Sequence, residues 1–219
     1  MNYIQLNQSD AFDIAISSRD KYPKVVVCGS SEGQPYIDDA YEACSLPTKS
    51  IIEQSLQIDT QEWFKQRKLT LEQERNASFA DIEGQWPGED INKPGFTLAL
   101  DILTGAPIVE LIGANVDTEK CWQIPAYFKF GGWNTCPSPA EHCAIWRYWE
   151  ERYGAQIVGI SNDVIEAHVS NPPNSQEEAL RLAWEQTLYC SDIVEQGVET
   201  VAGLASSIIS HKNWFFWWE

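Results

Sequence analysis

Two helices in the second half of the chain have both ends marked in the sequence, and they limit what the rest can form. Ser138-Pro139-Ala140-Glu141 has the spacing of a capping box: the serine oxygen takes a free amide of the first turn, and the glutamate returns to the serine amide. Pro139 stands at the first helical position, where its missing N–H is not needed. Gly154 is the stop, because a left-handed residue after the last turn is least strained as glycine. Between them His142, Ile145, Trp146, Trp149 and Tyr153 recur at three- to four-residue spacing, an apolar stripe that must be buried. Ser175 to Glu178 repeats the box, and Ala179, Leu182, Ala183, Gln186 and Cys190 form a second stripe.

The segments around these helices read as strands. Residues 155–160 and 164–169 flank the Ser161-Asn162-Asp163 turn. Ile165, Ala167 and Val169 share one face of the second strand, and Glu166 and His168 the other. That pattern predicts solvent for Glu166 and His168, which could then pair with each other. Asn171-Pro172-Pro173 ends the pairing, Gly197 precedes a third helix with Val198, Val201, Ala202, Ala205, Ile208 and Ile209 on its stripe, and 214–218 is a closing strand. Upstream, 9–19 reads as a short helix and 24–28 as a buried strand. Further helices are predicted over 35–44, 49–56 and, capped by Asp59, 61–75. Residues 84–95 are turn chemistry and predict a mobile loop. Residues 96–103 and 107–112 flank Thr104-Gly105 as a hairpin, and 123–130 reads as a further strand. Hairpins mixed with strand–helix alternation predict an α+β fold, a single domain with a mixed sheet flanked by amphipathic helices.

Charge excludes several functions. The 219 residues carry 32 Asp+Glu against 15 Lys+Arg, a net −17, with the acidity spread along the whole chain. Nucleic-acid phosphates and anionic lipid both need clustered Lys/Arg, so neither is an expected partner. Ten tryptophans are too much apolar mass for a disordered acidic tail. Residues 1–13 lack a basic and apolar leader, and no stretch is long and apolar enough to span a bilayer. The expectation is a cytoplasmic protein with its six cysteines reduced. On this reading the Asn76-Ala77-Ser78 glycosylation sequon is a chance occurrence.

The loop from Phe130 to Pro137 is the first place to look for chemistry. Gly131 and Gly132 permit positive φ or close backbone approach, and Trp133 and Asn134 offer a flat apolar wall and a bidentate amide. The loop leads to a helix N-terminus, which favours anions. It is either a ligand pocket or a structural turn with a core tryptophan. His142 follows, near Cys136 and Cys143, but on the apolar stripe, where a satisfied core histidine outweighs a thiol–imidazole pair. Cys121, Cys136, His142 and Cys143 lack the paired spacing of a zinc site, so no metal is assigned. Gln186, an amide on an apolar stripe, must find partners such as Tyr189, Asp192 or His142. Residues 25–31 lack the lysine and glycine spacing of a phosphate loop. No carboxylate pair implies acid–base work, and no catalytic residue or cofactor is assigned.

The runs IPAYFKFGGWNTCPSPAEH (124–142), RYWEERYGAQIVGISNDVIE (147–166), NPPNSQEEALRLAWEQTLYCSDIVEQGVETVAGLA (171–205) and WFFWW (214–218) resemble, in order and spacing, the DUF4253 family of bacterial proteins, named for lacking an assigned function. The resemblance spans nearly all of 122–218 and thins upstream to QEWFKQRK (61–68) and EGQWPG (83–88). It divides the chain into a weakly patterned N-terminal part, 1–121, and a DUF4253-like region, 122–219, together one compact unit. It implies a bacterial cytoplasmic domain of mixed fold and supplies no reaction. If its GGWN-to-EH segment is functional, the positions are Gly131, Gly132, Trp133, Asn134, Glu141 and His142.

Three functions stay open. One is an acidic interaction protein of the immunity (antitoxin-like) kind, which binds and neutralises a basic toxin through aromatic anchors in a charged rim. Another is a small-molecule-binding or hydrolytic domain with a pocket where Trp133, Asn134 and His142 meet Gln186, Tyr189 and Asp192. The third is a structural partner in a larger complex.

Overall fold

The structure is a computed structural model, and it describes residues 1–75, 78–87 and 95–219. Two residues of the sequon, 76 and 77, and residues 88–94 of the predicted mobile loop lie outside the described residues. The fold is α+β, built on one open six-stranded sheet. Its strands are β1 (Asn2–Gln5), β2 (Lys24–Ser30), β3 (Leu111–Val116), β4 (Ala155–Ile160), β5 (Val164–Val169) and β6 (Asn213–Trp217). Their spatial order is β1-β3-β2-β4-β5-β6, antiparallel throughout except for the parallel pair β2 and β4. β2 is central because Val26, Val27 and Cys28 are apolar on both faces and all buried, the pattern of a strand covered on both sides.

The helices are α1 (Ala11–Ser18), α2 (Gln34–Ala43), α3 (Thr48–Ser55), α4 (Thr60–Arg75), α5 (Ile124–Phe128), α6 (Pro139–Tyr153), α7 (Gln176–Tyr189) and α8 (Val201–Ile208). α6 and α7 contribute their stripes to the main core, together with Ala155, Ile157, Ile165 and Ala167 of the sheet. On the opposite face Ala11 and Ala15 of α1 pack with Leu98, Ala99, Leu111 and Val158. Behind α6, Ile51 of α3 and Ala126 of α5 meet Ala140 and Cys143. Among the described residues no helix is long and apolar enough to cross a membrane.

Both bonds of the first capping box form: Glu141 N donates to Ser138 Oγ (3.4 Å) and Ser138 N to Glu141 Oε2 (2.7 Å). Gly154 ends α6 at φ 60°. The second box closes only half-way. Glu178 N donates to Ser175 Oγ (3.2 Å), but the Glu178 carboxylate takes the amide of Asn174 (3.3 Å). The third helix starts later than Gly197. Ile193–Val198 is a π-helical turn, and the hydroxyl of Thr200, accepting from Gly203 N at 3.0 Å, marks the start of α8.

Three segments differ from the sequence reading. Residues 123–130 are not a strand: Cys121–Gln123 is a 3-10 turn running into α5. Pro125 has no amide for a ladder and suits a first helical turn, and Lys129 at φ 51° ends it. The 96–112 hairpin is reduced to one bridge, Leu100 to Pro107, around a turn closed by Asp101 N to Ala106 O (2.7 Å). The ladder itself begins at Leu111. Glu166 is not exposed at all, because the chain around Leu98 covers that face of β5. Its acceptors take Thr97 N (2.5 Å), Thr97 Oγ1 (2.8 Å) and Leu98 N (3.3 Å), and the bond to His168 is not formed.

Candidate functional site

The Phe130–Pro137 loop is closed on itself by Gly132 N to Pro137 O (2.9 Å) and Cys136 N to Trp133 O (2.8 Å). Gly131 (φ 105°), Gly132 (φ 90°) and Asn134 (φ 43°) supply its left-handed turns. Half-buried Trp133 stands edge-on to Phe130 at 5.1 Å. Asn134 Nδ2 donates to the Glu219 carbonyl (2.8 Å), and Asp192 Oδ2 accepts from Glu219 N (3.1 Å). Loop and π-helical turn therefore clamp Glu219, two residues beyond β6, from two sides. Arg67 of α4 reaches the same region, donating to the Thr135 and Leu188 carbonyls.

His142 lies beneath this loop with no exposure. Its Nδ1 is 2.5 Å from Tyr189 Oη, which also accepts from Trp146 Nε1 at 2.9 Å; its Nε2 is 3.3 Å from Cys136 Sγ. Phe130, Tyr189 and Trp218 surround the imidazole edge-on. The thiol and imidazole are thus in contact, but burial governs both. Desolvation pulls His142 down to about 3 and pushes the Cys136 thiol well up. A neutral imidazole beside a neutral thiol has no thiolate to attack with. This chain of polar groups satisfies itself inside an aromatic core. Glu141 points elsewhere: its Oε1 accepts from Trp63 Nε1 of α4 at 2.6 Å.

The open surface lies away from this loop, around the outer edge of β6, and reaches residues of both faces of the sheet. A groove of about 1170 Å³ runs from the end of β2, along the 97–110 segment and the turn after β4, to the π-helical turn, α8 and β6. Of the residues singled out in the sequence, Gln186 and Asp192 line it; Gly131, Gly132, Trp133, Asn134, Glu141, His142 and Tyr189 do not. Its floor is apolar, with Leu98, Ile108, Val164, Phe215 and Trp217. Ile102, 91% exposed, stands at its margin with Val109. Its charged lining consists of Glu32, Asp101, Glu110, Asp163 and Asp192, with no Lys or Arg among the lining residues. Glu166 acts underneath, tying Thr97 and Leu98 of the lining to the sheet. Its burial raises the carboxyl to about 7. Among the described residues no group of three or more His, Cys, Asp or Glu could hold a metal ion.

The carboxylates come from five separate stretches, so no local motif marks the groove. One signal was present: in NWFFWW the outward positions Phe215 and Trp217 are aromatic where a solvated face would be polar. No curated protein and no solved structure matches the chain. Residues 113–219 match the model of a family described as a domain of unknown function, DUF4253.

Proposed function

We propose that this protein is a binding module that holds a basic segment of a partner protein, and that it serves as an immunity-type protein neutralising a basic toxin in the bacterial cytoplasm. One observation carries the reading: five carboxylates and no Lys or Arg line a large groove with an apolar floor. Such a lining attracts cations over long range and gives aromatic anchors to whatever arrives. It repels acidic ligands, and a like-charge mismatch in a partly desolvated cleft costs several kcal/mol. The net charge of −17 adds to the same field. A toxin that acts on nucleic acid carries the opposite charge, since it must meet phosphates.

The test is co-expression with the product of the adjacent gene. The wild-type protein is expected to bind it and relieve growth inhibition. The double variant Glu32→Lys/Glu110→Lys, which changes two exposed side chains of the groove, is expected to fold normally and lose that relief. Relief undiminished in the variant, or absence of any binding by wild type, would overturn the proposal.

A further inference from the structure

β6 is the last strand of the sheet, paired on one side only. In an antiparallel ladder, alternate residues turn both their N–H and C=O toward the same neighbour. Trp218 N donates to Asp163 O (3.1 Å) and Val169 N to Lys212 O (2.7 Å), so residues 212, 214, 216 and 218 face β5. Asn213, Phe215 and Trp217 therefore turn their backbone groups outward. The Trp217 carbonyl takes the Cys190 thiol at 2.9 Å. Among the described residues nothing pairs with the outward N–H and C=O of Asn213 and Phe215. A free edge of this kind templates another strand unless it is charged, bulged or covered, and Asn213, Phe215 and Trp217 all line the groove.

A second observation points the same way. Gln186 Nε2 and Trp214 Nε1 are buried side-chain donors with no partner. The two residues are 1% and 2% exposed, and both line this same groove. A buried donor left without an acceptor loses its hydration with nothing in return, and native structures keep few of them. Two donors bordering one cavity fit a ligand that brings carbonyl oxygens.

We infer that β6 is the docking edge for an extended, basic segment of a partner protein, which adds a seventh strand through Asn213 and Phe215 and offers carbonyl acceptors to Gln186 and Trp214. This rests on the reading of the groove as a site for a basic partner. Backbone pairing supplies affinity, while the aromatic floor and the carboxylates select side chains that alternate apolar and cationic. The charge also selects against self-pairing: two copies of a chain at −17 would bring like-charged edges together.

The experiment uses the full chain and three peptides of about eight residues: alternating lysine and valine, the same peptide with alternate amides N-methylated, and alternating glutamate and valine. Binding is followed by calorimetry and by the amide resonances of Asn213, Phe215 and Trp217. The basic peptide is expected to bind and shift those resonances, with the methylated form about tenfold weaker or worse and the acidic form silent. Equal binding of the methylated peptide would overturn strand addition and leave the acidic groove intact as a binding site. No binding by either basic peptide would overturn both. Two variants separate the role from folding. Phe215→Pro removes an outward N–H and leaves the β5 ladder whole, so thermal stability is expected to hold while affinity falls about tenfold. Gln186→Leu removes a buried unpaired amide, so stability is expected to hold or rise while peptide affinity drops. A Gln186→Leu protein that loses stability and binds normally would show the amide to be structural. A wild-type dimer abolished by Phe215→Pro would assign the edge to self-association.

Discussion

At Gly131 the backbone holds φ at 105°, and a Cβ there would collide with the Pro137 carbonyl and sit 2.7 Å from the His142 ring. Gly131→Ala is thus expected to destabilise the fold by about 2–3 kcal/mol, since left-handed strain and overpacking coincide; a shift in urea midpoint without a change of slope checks it. Glu166 gives a pH signature. Its carboxyl has an ordinary value of 4.5 and lies at about 7 in the fold. Below pH 4.5 it is protonated in both states. Between 4.5 and 7 the folded form keeps the proton that the unfolded form releases, so stability falls as pH rises through this window. Relative to Glu166→Gln, whose side chain does not titrate, the wild type is expected to lose about 3 kcal/mol between pH 4.5 and 8. A flat difference between the two unfolding curves would sink this. His142 works in the opposite direction, because its value is lowered to about 3: its contribution is whole above pH 6.5 and is lost on acidification below it. The cysteines test the packing at this same scale. Five of them are buried and Cys44 is half-exposed, so a thiol reagent is expected to modify Cys44 first and the others only as the chain unfolds. A fast-reacting Cys136 would contradict the neutral, buried thiol beside His142.

The start of α6 is the element whose energetics are easiest to isolate. Ser138→Ala removes one cap acceptor and is expected to cost about 1 kcal/mol. Glu141→Ala should cost more, because that carboxylate holds both the Ser138 amide and the Trp63 indole N–H, and the indole is half-buried. A double-mutant cycle with Trp63→Phe is expected to return a coupling of about 1 kcal/mol; additive effects would mean that the α4–α6 bond contributes nothing. Such helix ends were legible in the sequence because their partners lie three residues apart. The strands were legible only in part. β1 has four residues and a partner in β3 more than a hundred residues away, so no local pattern announces it. The apolar stretch from Ile124 to Phe128 has no clear period, and Pro125 settled it as a helical turn. Glu166 was misplaced because alternation tells which face a side chain is on but not what covers that face. Its donors are 68 and 69 residues distant. The groove was invisible for the same reason: Glu32, Asp101, Glu110, Asp163 and Asp192 meet only after the sheet is built.

At the scale of the whole molecule, the boundary of the family match and the boundary of the fold do not coincide. The matched region starts at residue 113, inside β3. β3 is not next to β4 in the sheet: β2, from residues 24–30, lies between them, antiparallel to β3 and parallel to β4. The 113–219 segment by itself therefore contains the antiparallel trio β4-β5-β6, in which a hairpin joins β4 to β5 and two helices lie between β5 and β6, and a severed β3 with no strand to join it. It would also expose the face on which α1 packs with Leu98 and Val158, and it would lose Thr97, the donor that satisfies Glu166. Central-strand loss removes ladder bonds and opens two edges at once, where a peripheral truncation opens one. The expected outcome is that a 113–219 fragment lacks a cooperative thermal transition and gives poorly dispersed amide resonances, while the full chain melts sharply. Adding residues 1–112 as a separate polypeptide should restore β2 between its neighbours and with it the transition. A fragment that melted cooperatively without that addition would show that β3 can pair directly with β4, and that the first half of the chain decorates a sheet already complete.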